Sequence, residues 1–179
     1  MSLPPIEIPL GAMRFNSDSQ KLEYWMGSAW MQIQTFSPNL NGGERGVFFG
    51  RATPSINNQI DYITIPTQGN ATDFGDMNGN GYTYSTAASS TRGFVAGGAP
   101  GHANMIDFVT FSSTGVVIDT GNLTSSRWLM GGGCSNSTRA IFTGGSTFGS
   151  PHPVVNTLDY ITMASGGDAV DFGDATTGR

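Results

Sequence analysis

Arg45-Gly-Val-Phe-Phe-Gly50, Arg92-Gly-Phe-Val-Ala-Gly97-Gly98 and Arg139-Ala-Ile-Phe-Thr-Gly144-Gly145 are three versions of one short segment. Their arginines stand 47 residues apart both times, and Gly50, Gly97 and Gly144 keep the same spacing. A short apolar run rich in aromatic and β-branched residues and closed by glycine reads as a buried strand ending in a tight turn. A second apolar strand follows in each copy: Ile60-Asp61-Tyr62-Ile63-Thr64, Ile106-Asp107-Phe108-Val109-Thr110 and Leu158-Asp159-Tyr160-Ile161-Thr162. A third segment closes the unit, at Asp73-Phe74-Gly75-Asp76, Asp119-Thr120-Gly121-Asn122 and Asp171-Phe172-Gly173-Asp174. The third copy carries about five extra residues near Ser146 to Pro153, between its first two strands, where a loop insertion belongs.

Working outward, each unit has room for one more strand ahead of its arginine, in Tyr82 to Ala88 and in Trp128 to Cys134. Four strands and their turns in about 47 residues is the size of one propeller blade. A helical repeat of that length needs two amphipathic stretches of period 3.6, and none is present. The reading is an all-β chain with strands near 46–50, 59–65, 81–88, 92–97, 105–110, 127–134, 139–144 and 157–162, and no helix between Glu44 and Arg179. The units run over 44–90, 91–137 and 138–179, within a repeat region 41–179. Composition agrees: 26 of 179 residues are glycine, Lys21 is the sole lysine, and only 12% of residues are charged. Such a chain is poor in helix formers and rich in turn and strand residues.

Residues 1–40 differ. Leu3-Pro4-Pro5-Ile6-Glu7-Ile8-Pro9-Leu10 reads as an extended arm, since proline biases the chain away from helix and removes donors. Beyond it, Met13 and Phe15, then Leu22 and Tyr24, then Trp30 and Ile33 fall on three short strands of a β-meander. Its core is too small to stand alone, yet Phe15, Tyr24, Trp25, Trp30 and Phe36 crowd into it. Phe15, Tyr24, Trp25 and Trp30 are therefore candidates for an assembly interface.

Two resemblances bear on these segments. The repeats over 44–179 resemble Kelch repeats: an apolar strand ending in Gly-Gly, a loop, a hydrophobic strand with an acidic residue, and a closing strand. The usual tryptophan of the last strand is missing, with Phe74 and Phe172 in its place. The resemblance implies four-stranded β-propeller blades and speaks to fold alone. Three blades do not close a propeller, which takes four to eight. Either further repeats follow Arg179, or several chains complete one ring. Gly11, Arg14, Phe15, Asn16, Ser17, Lys21, Leu22, Glu23, Tyr24, Gly27, Ser28 and Trp30 resemble a motif of tailed-bacteriophage tail fibres and other virion appendages. That likeness implies an N-terminal module that attaches to the particle.

Little in the chain points to chemistry. His102 and His152 are loop residues, and no spaced pair of metal-ligating side chains occurs. Asp73, Asp76, Asp119, Asp171 and Asp174 read as turn-formers rather than calcium ligands. The recurrence of Asp-Phe-Gly follows the repeat and is not a kinase signature. Arg45, Arg92 and Arg139 with Asp61, Asp107 and Asp159 form a repeating set of opposite charges, expected to pair and order the strands. Cys134 reads as a buried small residue. No catalytic residue, metal or cofactor is expected. A net charge of −5 gives no footprint for nucleic acid, and no run is apolar enough to insert in a membrane. The expected function is that of a structural virion component, made in the host cytoplasm. Its partners would be copies of itself, other virion proteins and a host-surface glycan or protein. The alternative is a Kelch-like binding module outside any virus, taking protein or carbohydrate on its loops.

Overall fold

The computed structural model describes residues 7–18, 21–33, 44–100, 104–128, 131–147 and 151–179. Every regular element among them is a strand, and the chain divides into two compact units, Met1–Asn39 and Leu40–Arg179.

The first unit is one antiparallel sheet, β1 (Met13–Asn16), β2 (Lys21–Trp25) and β3 (Trp30–Gln32), in that order. Met13 lies across from Tyr24 and Tyr24 from Met31, while Arg14 lies across from Glu23 and Glu23 from Gln32. Because side chains alternate along a strand, Met13, Phe15, Leu22, Tyr24 and Met31 share one face. Arg14, Asn16, Glu23, Trp25, Trp30 and Gln32 share the other. Phe36 lies outside the described residues.

The second unit holds three sheets. The first contains β4 (Arg45–Arg51), β5 (Asn57–Thr64) and β6 (Thr72–Asp76). The second contains β7 (Ser85–Ala88), β8 (Arg92–Ala96), β9 (Met105–Thr110) and β10 (Ile118–Asn122). The third contains β11 (Gly132–Ser135), β12 (Arg139–Thr143), β13 (Thr157–Thr162) and β14 (Val170–Asp174). All neighbours within a sheet are antiparallel and sequential. The strand ahead of each arginine pairs forward, β7 with β8 and β11 with β12. Sheet boundaries therefore fall between the closing strand and that leading strand.

The leading strands are shorter than the expected 81–88 and 127–134. Thr83 takes φ 58°, which breaks the extended run between Tyr82 and Ser85. Tyr82 instead makes a lone bridge to Ala99, as Trp128 does to Ser146.

Alternation along the middle strands feeds two separate cores. Ile60, Phe74 and Met77 of the first sheet pack with Val95, Val109 and Val117 of the second. Phe94, Ile106, Phe108 and Leu123 of the second pack with Ala140, Phe142, Ile161 and Met163 of the third. Phe94 and Val95, adjacent in sequence, thus serve opposite seams. Cys134 is exposed, contrary to the buried position expected. It holds the place that Ala87 holds in the second sheet, but Ala87 is covered by the third sheet and Cys134 has no sheet beyond it among the described residues.

Each closing strand carries one bulge. The register shifts at Asp73/Gly75, Asp119/Gly121 and Asp171/Gly173, and in all three the glycine N–H donates to the aspartate Oδ1 at 3.1, 3.1 and 2.8 Å. Gly75, Gly121 and Gly173 take φ 144°, 153° and 130°. The repeated Asp-x-Gly is thus an Asx turn that sets a β-bulge.

Candidate functional site

The ordered polar chemistry of the body lies in the seams between sheets. Arg127 leaves the second sheet and reaches into the third, where its side chain and that of Asp159 are both fully buried as an ion pair. Arg127 Nη1 also donates to the Gly144 and Thr157 carbonyls at 3.2 and 3.1 Å, and Thr124 donates to Asp159 through its backbone N–H and Oγ1 at 3.1 and 2.7 Å. Burial lowers the Arg127 pKa and the Asp159 carboxylate opposes that shift. Burying two charges is tolerable only with this dense hydrogen bonding.

The seam between the first and second sheets uses the same frame with other residues. Asp107, 1% exposed, accepts from Asn78 Nδ2 at 3.3 Å, and Asn78 matches Thr124 in the repeat. Gly81 matches Arg127. The Tyr84 phenol fills the vacated space, so a Cβ on Gly81 would collide with its hydroxyl. Burial first, and the nearby Asp107 charge second, push the Tyr84 pKa up to about 12.

The arginines that revealed the repeat do not pair with the repeated aspartates. Arg45, Arg92 and Arg139 lie over the aromatic rings of Tyr62, Phe108 and Tyr160 at 4.7, 4.5 and 4.8 Å. Their strand partners place them there: Arg45 is opposite Thr64 and Arg92 opposite Thr110, two residues from the ring on the same face, whereas the aspartate three residues away points to the other face. Two of them also bridge a seam. Arg45 Nη1 donates to the Phe111 carbonyl at 2.5 Å, and Arg92 Nη1 to the Met163 carbonyl at 3.1 Å. Arg139 is exposed. Gly50, Gly97 and Gly144 share φ of 56°, 68° and 59°, and a Cβ on Gly50 or Gly144 would strike the carbonyl of Gly81 or Arg179.

Arg127 escaped the reading of the repeat because its counterpart at 81 is glycine. Its signal was spacing: Arg127 and Arg179 stand 52 apart, as do Asp107 and Asp159.

In the N-terminal sheet, Glu23 is 4% exposed and accepts from Arg14 Nε at 2.8 Å and Asn16 Nδ2 at 2.9 Å. Hydrogen bonds from Asn16 and then Arg14 hold its carboxyl below the usual range. Arg14 lies 4.2 Å from the Trp30 ring centre, and Trp30 leans on Trp25 at 5.5 Å. Of the four aromatic interface candidates, Trp25 and Trp30 thus belong to this ordered face. Phe15, 65% exposed, and Tyr24 lie on the other, where Met13, Leu22 and Met31 are also exposed.

Among the described residues no group of three or more His, Cys, Asp or Glu side chains is placed to hold a metal ion. His152 stands edge-on to Trp128 at 5.2 Å; His102 lies outside the described residues. A depression of about 350 Å³ is lined by Arg45, Phe49, Thr86, Ala88, Phe111 and Cys134 among others. Its one charged group, Arg45, is already committed to the Phe111 carbonyl. No protein-family model and no curated protein matches the chain.

Proposed function

We propose that this chain is a structural component of a tailed-bacteriophage virion: a propeller-like body of Kelch-type blades carried by an N-terminal attachment sheet, with no catalytic role. The observation that carries the reading is the division of labour in that sheet. One face is fixed by Arg14, Glu23, Asn16 and the Trp25–Trp30 pair, and the other leaves Met13, Phe15, Leu22 and Met31 open at 59, 65, 40 and 45%. A rigid sheet with a continuous apolar face is suited to docking on another protein. The blade reading is supported by three sequential antiparallel sheets of three or four strands, stacked through two apolar seams that use matched positions. The residues in those seams serve packing, which suits a scaffold.

The reading is tested on purified particles. Antibody labelling in the electron microscope is expected to find the chain on the virion. A Phe15→Asp/Leu22→Asp variant is expected to fold but to be missing from particles. Particles that lack the wild-type chain, or that incorporate the variant as well as wild type, overturn it.

A further inference from the structure

The two outer faces of the three-sheet body carry residues matched through the repeat to those of the inner seams. At positions matched through the repeat, a residue is buried where a sheet stands against it and open where none does. Phe74 is 3% exposed and its counterpart Phe172 is 50% exposed. Val95 and Phe142 are 0% exposed, but their counterpart Phe48 is 56% exposed; Met163 is 2% and Ile65 is 60%. Asp107 and Asp159 are buried, whereas Asp61 is half-exposed.

The polar groups divide in the same way. Each occupied seam has a set of donors and acceptors that recurs. Gly115 N–H donates to the Phe74 carbonyl and Val117 N–H to the Asp76 carbonyl, at 2.8 and 3.0 Å; Gly167 and Ala169 do the same to Thr120 and Asn122 at 2.9 and 2.8 Å. Arg45 and Arg92 reach the carbonyls of Phe111 and Met163 on the next sheet. In the second seam alone Arg127 reaches Asp159, since Gly81 stands at its place in the first and Asn78 donates to Asp107 there. One repeat further on, the third sheet offers Arg139, Arg179 and the carbonyls of Phe172 and Asp174. The first sheet offers the Ile65 carbonyl, Asp61 and the N–H groups of Gly69 and Ala71.

We propose that two copies of this chain close one ring of six sheets, the third sheet of each copy packing on the first sheet of the other. In that seam Arg139 donates to the partner copy at the Ile65 carbonyl. Arg179 pairs with Asp61, Gly69 N–H donates to Phe172, and Ala71 N–H donates to Asp174. The number follows from the geometry of propellers, which close with four to eight blades: the three sheets among the described residues of the body reach that range as two copies, with six sheets. A head-to-tail contact used twice about a two-fold axis closes on itself and leaves no open end. Closure rests on the propeller-like reading of the body and is independent of any place on a virion.

The test uses the full chain and the Arg179–Asp61 pair. Wild type is expected to sediment as a dimer of the 18.8 kDa chain. Asp61→Lys alone and Arg179→Glu alone each place like charges in both seams, and each is expected to weaken dimerisation at least tenfold. An equimolar mixture of the two variants restores opposite charges at both seams and is expected to dimerise again, as is the doubly substituted chain. A monomeric wild type, an open series of larger oligomers, or a dimer that neither variant weakens overturns the proposal. The intrachain pair separates this from failure of the sheet stack itself. A double-mutant cycle of Arg127→Met and Asp159→Asn, followed by urea unfolding, keeps its coupling if the sheets stack but copies do not associate, and loses it if the stack is wrong.

Discussion

At the scale of single residues, the two seams solve one problem in two ways. A carboxylate on the middle strand is driven into the interface, and something from the preceding sheet has to meet it. In the second seam a guanidinium does so with Thr124; in the first an amide donates and a phenol fills the space. Arg127→Met is therefore expected to cost about 3–5 kcal/mol, since it strands a buried carboxylate, read as a fall in the urea midpoint. The Tyr84 hydroxyl is buried without a hydrogen-bond partner among the described residues, so Tyr84→Phe is expected to leave stability unchanged or raise it by about 1 kcal/mol. The same substitution has a pH signature. The Tyr84 pKa is raised in the folded chain from 10.0 to about 12. The contribution of the neutral phenol is thus intact below pH 10 and is lost as pH rises toward about 12. Wild type is expected to lose stability across that window more steeply than Tyr84→Phe, in chemical unfolding at a series of alkaline pH values. The period of Arg45, Arg92 and Arg139 was plain in the sequence but their partners were not. Opposite charge suggested aspartate, whereas strand register set the guanidinium over an aromatic ring instead.

At the scale of elements, glycine placement is what the sequence displayed best, because a bulge or turn with positive φ leaves a compositional mark. Asp-x-Gly was legible as a turn; that it bends the closing strand at the same point in all three sheets needed the register. Gly121 and Gly173 occupy equivalent bulges and take similar φ, yet their neighbours differ. A Cβ on Gly121 would collide with the Gly167 backbone of the next sheet, and a Cβ on Gly173 meets nothing within 4 Å. Gly173→Ala is expected to cost only its backbone strain, about 1–2 kcal/mol. Gly121→Ala adds a clash across the seam and is expected to cost about 2 kcal/mol more, measured by thermal unfolding. The leading strands were legible in place but too long. Nothing in Tyr82-Thr83-Tyr84 marks Thr83 as the residue that turns with positive φ.

At the scale of the whole molecule, the all-β class and the repeat were legible because both rest on periodicity, which a single sequence carries in full. The direction in which each leading strand pairs was not, since a strand between two units can join either one. Burial of Cys134 was misjudged for a related reason: local composition describes the strand, and exposure depends on whether another sheet follows. The N-terminal sheet shows the same limit, its aromatic content being readable while the split between a bonded face and an open face came only with register. The matched seams carry a consequence for how such a chain changes length. The second sheet bears one half of the seam pattern on one side and its complement on the other, so a segment duplicated or excised as a whole period arrives with both. Recombination in whole periods alters the sheet count without creating a surface that lacks a mate. An insertion confined to the loops, such as the one ahead of Val154, leaves the seams untouched. Slippage by any other length breaks two seams at once and is removed by misfolding.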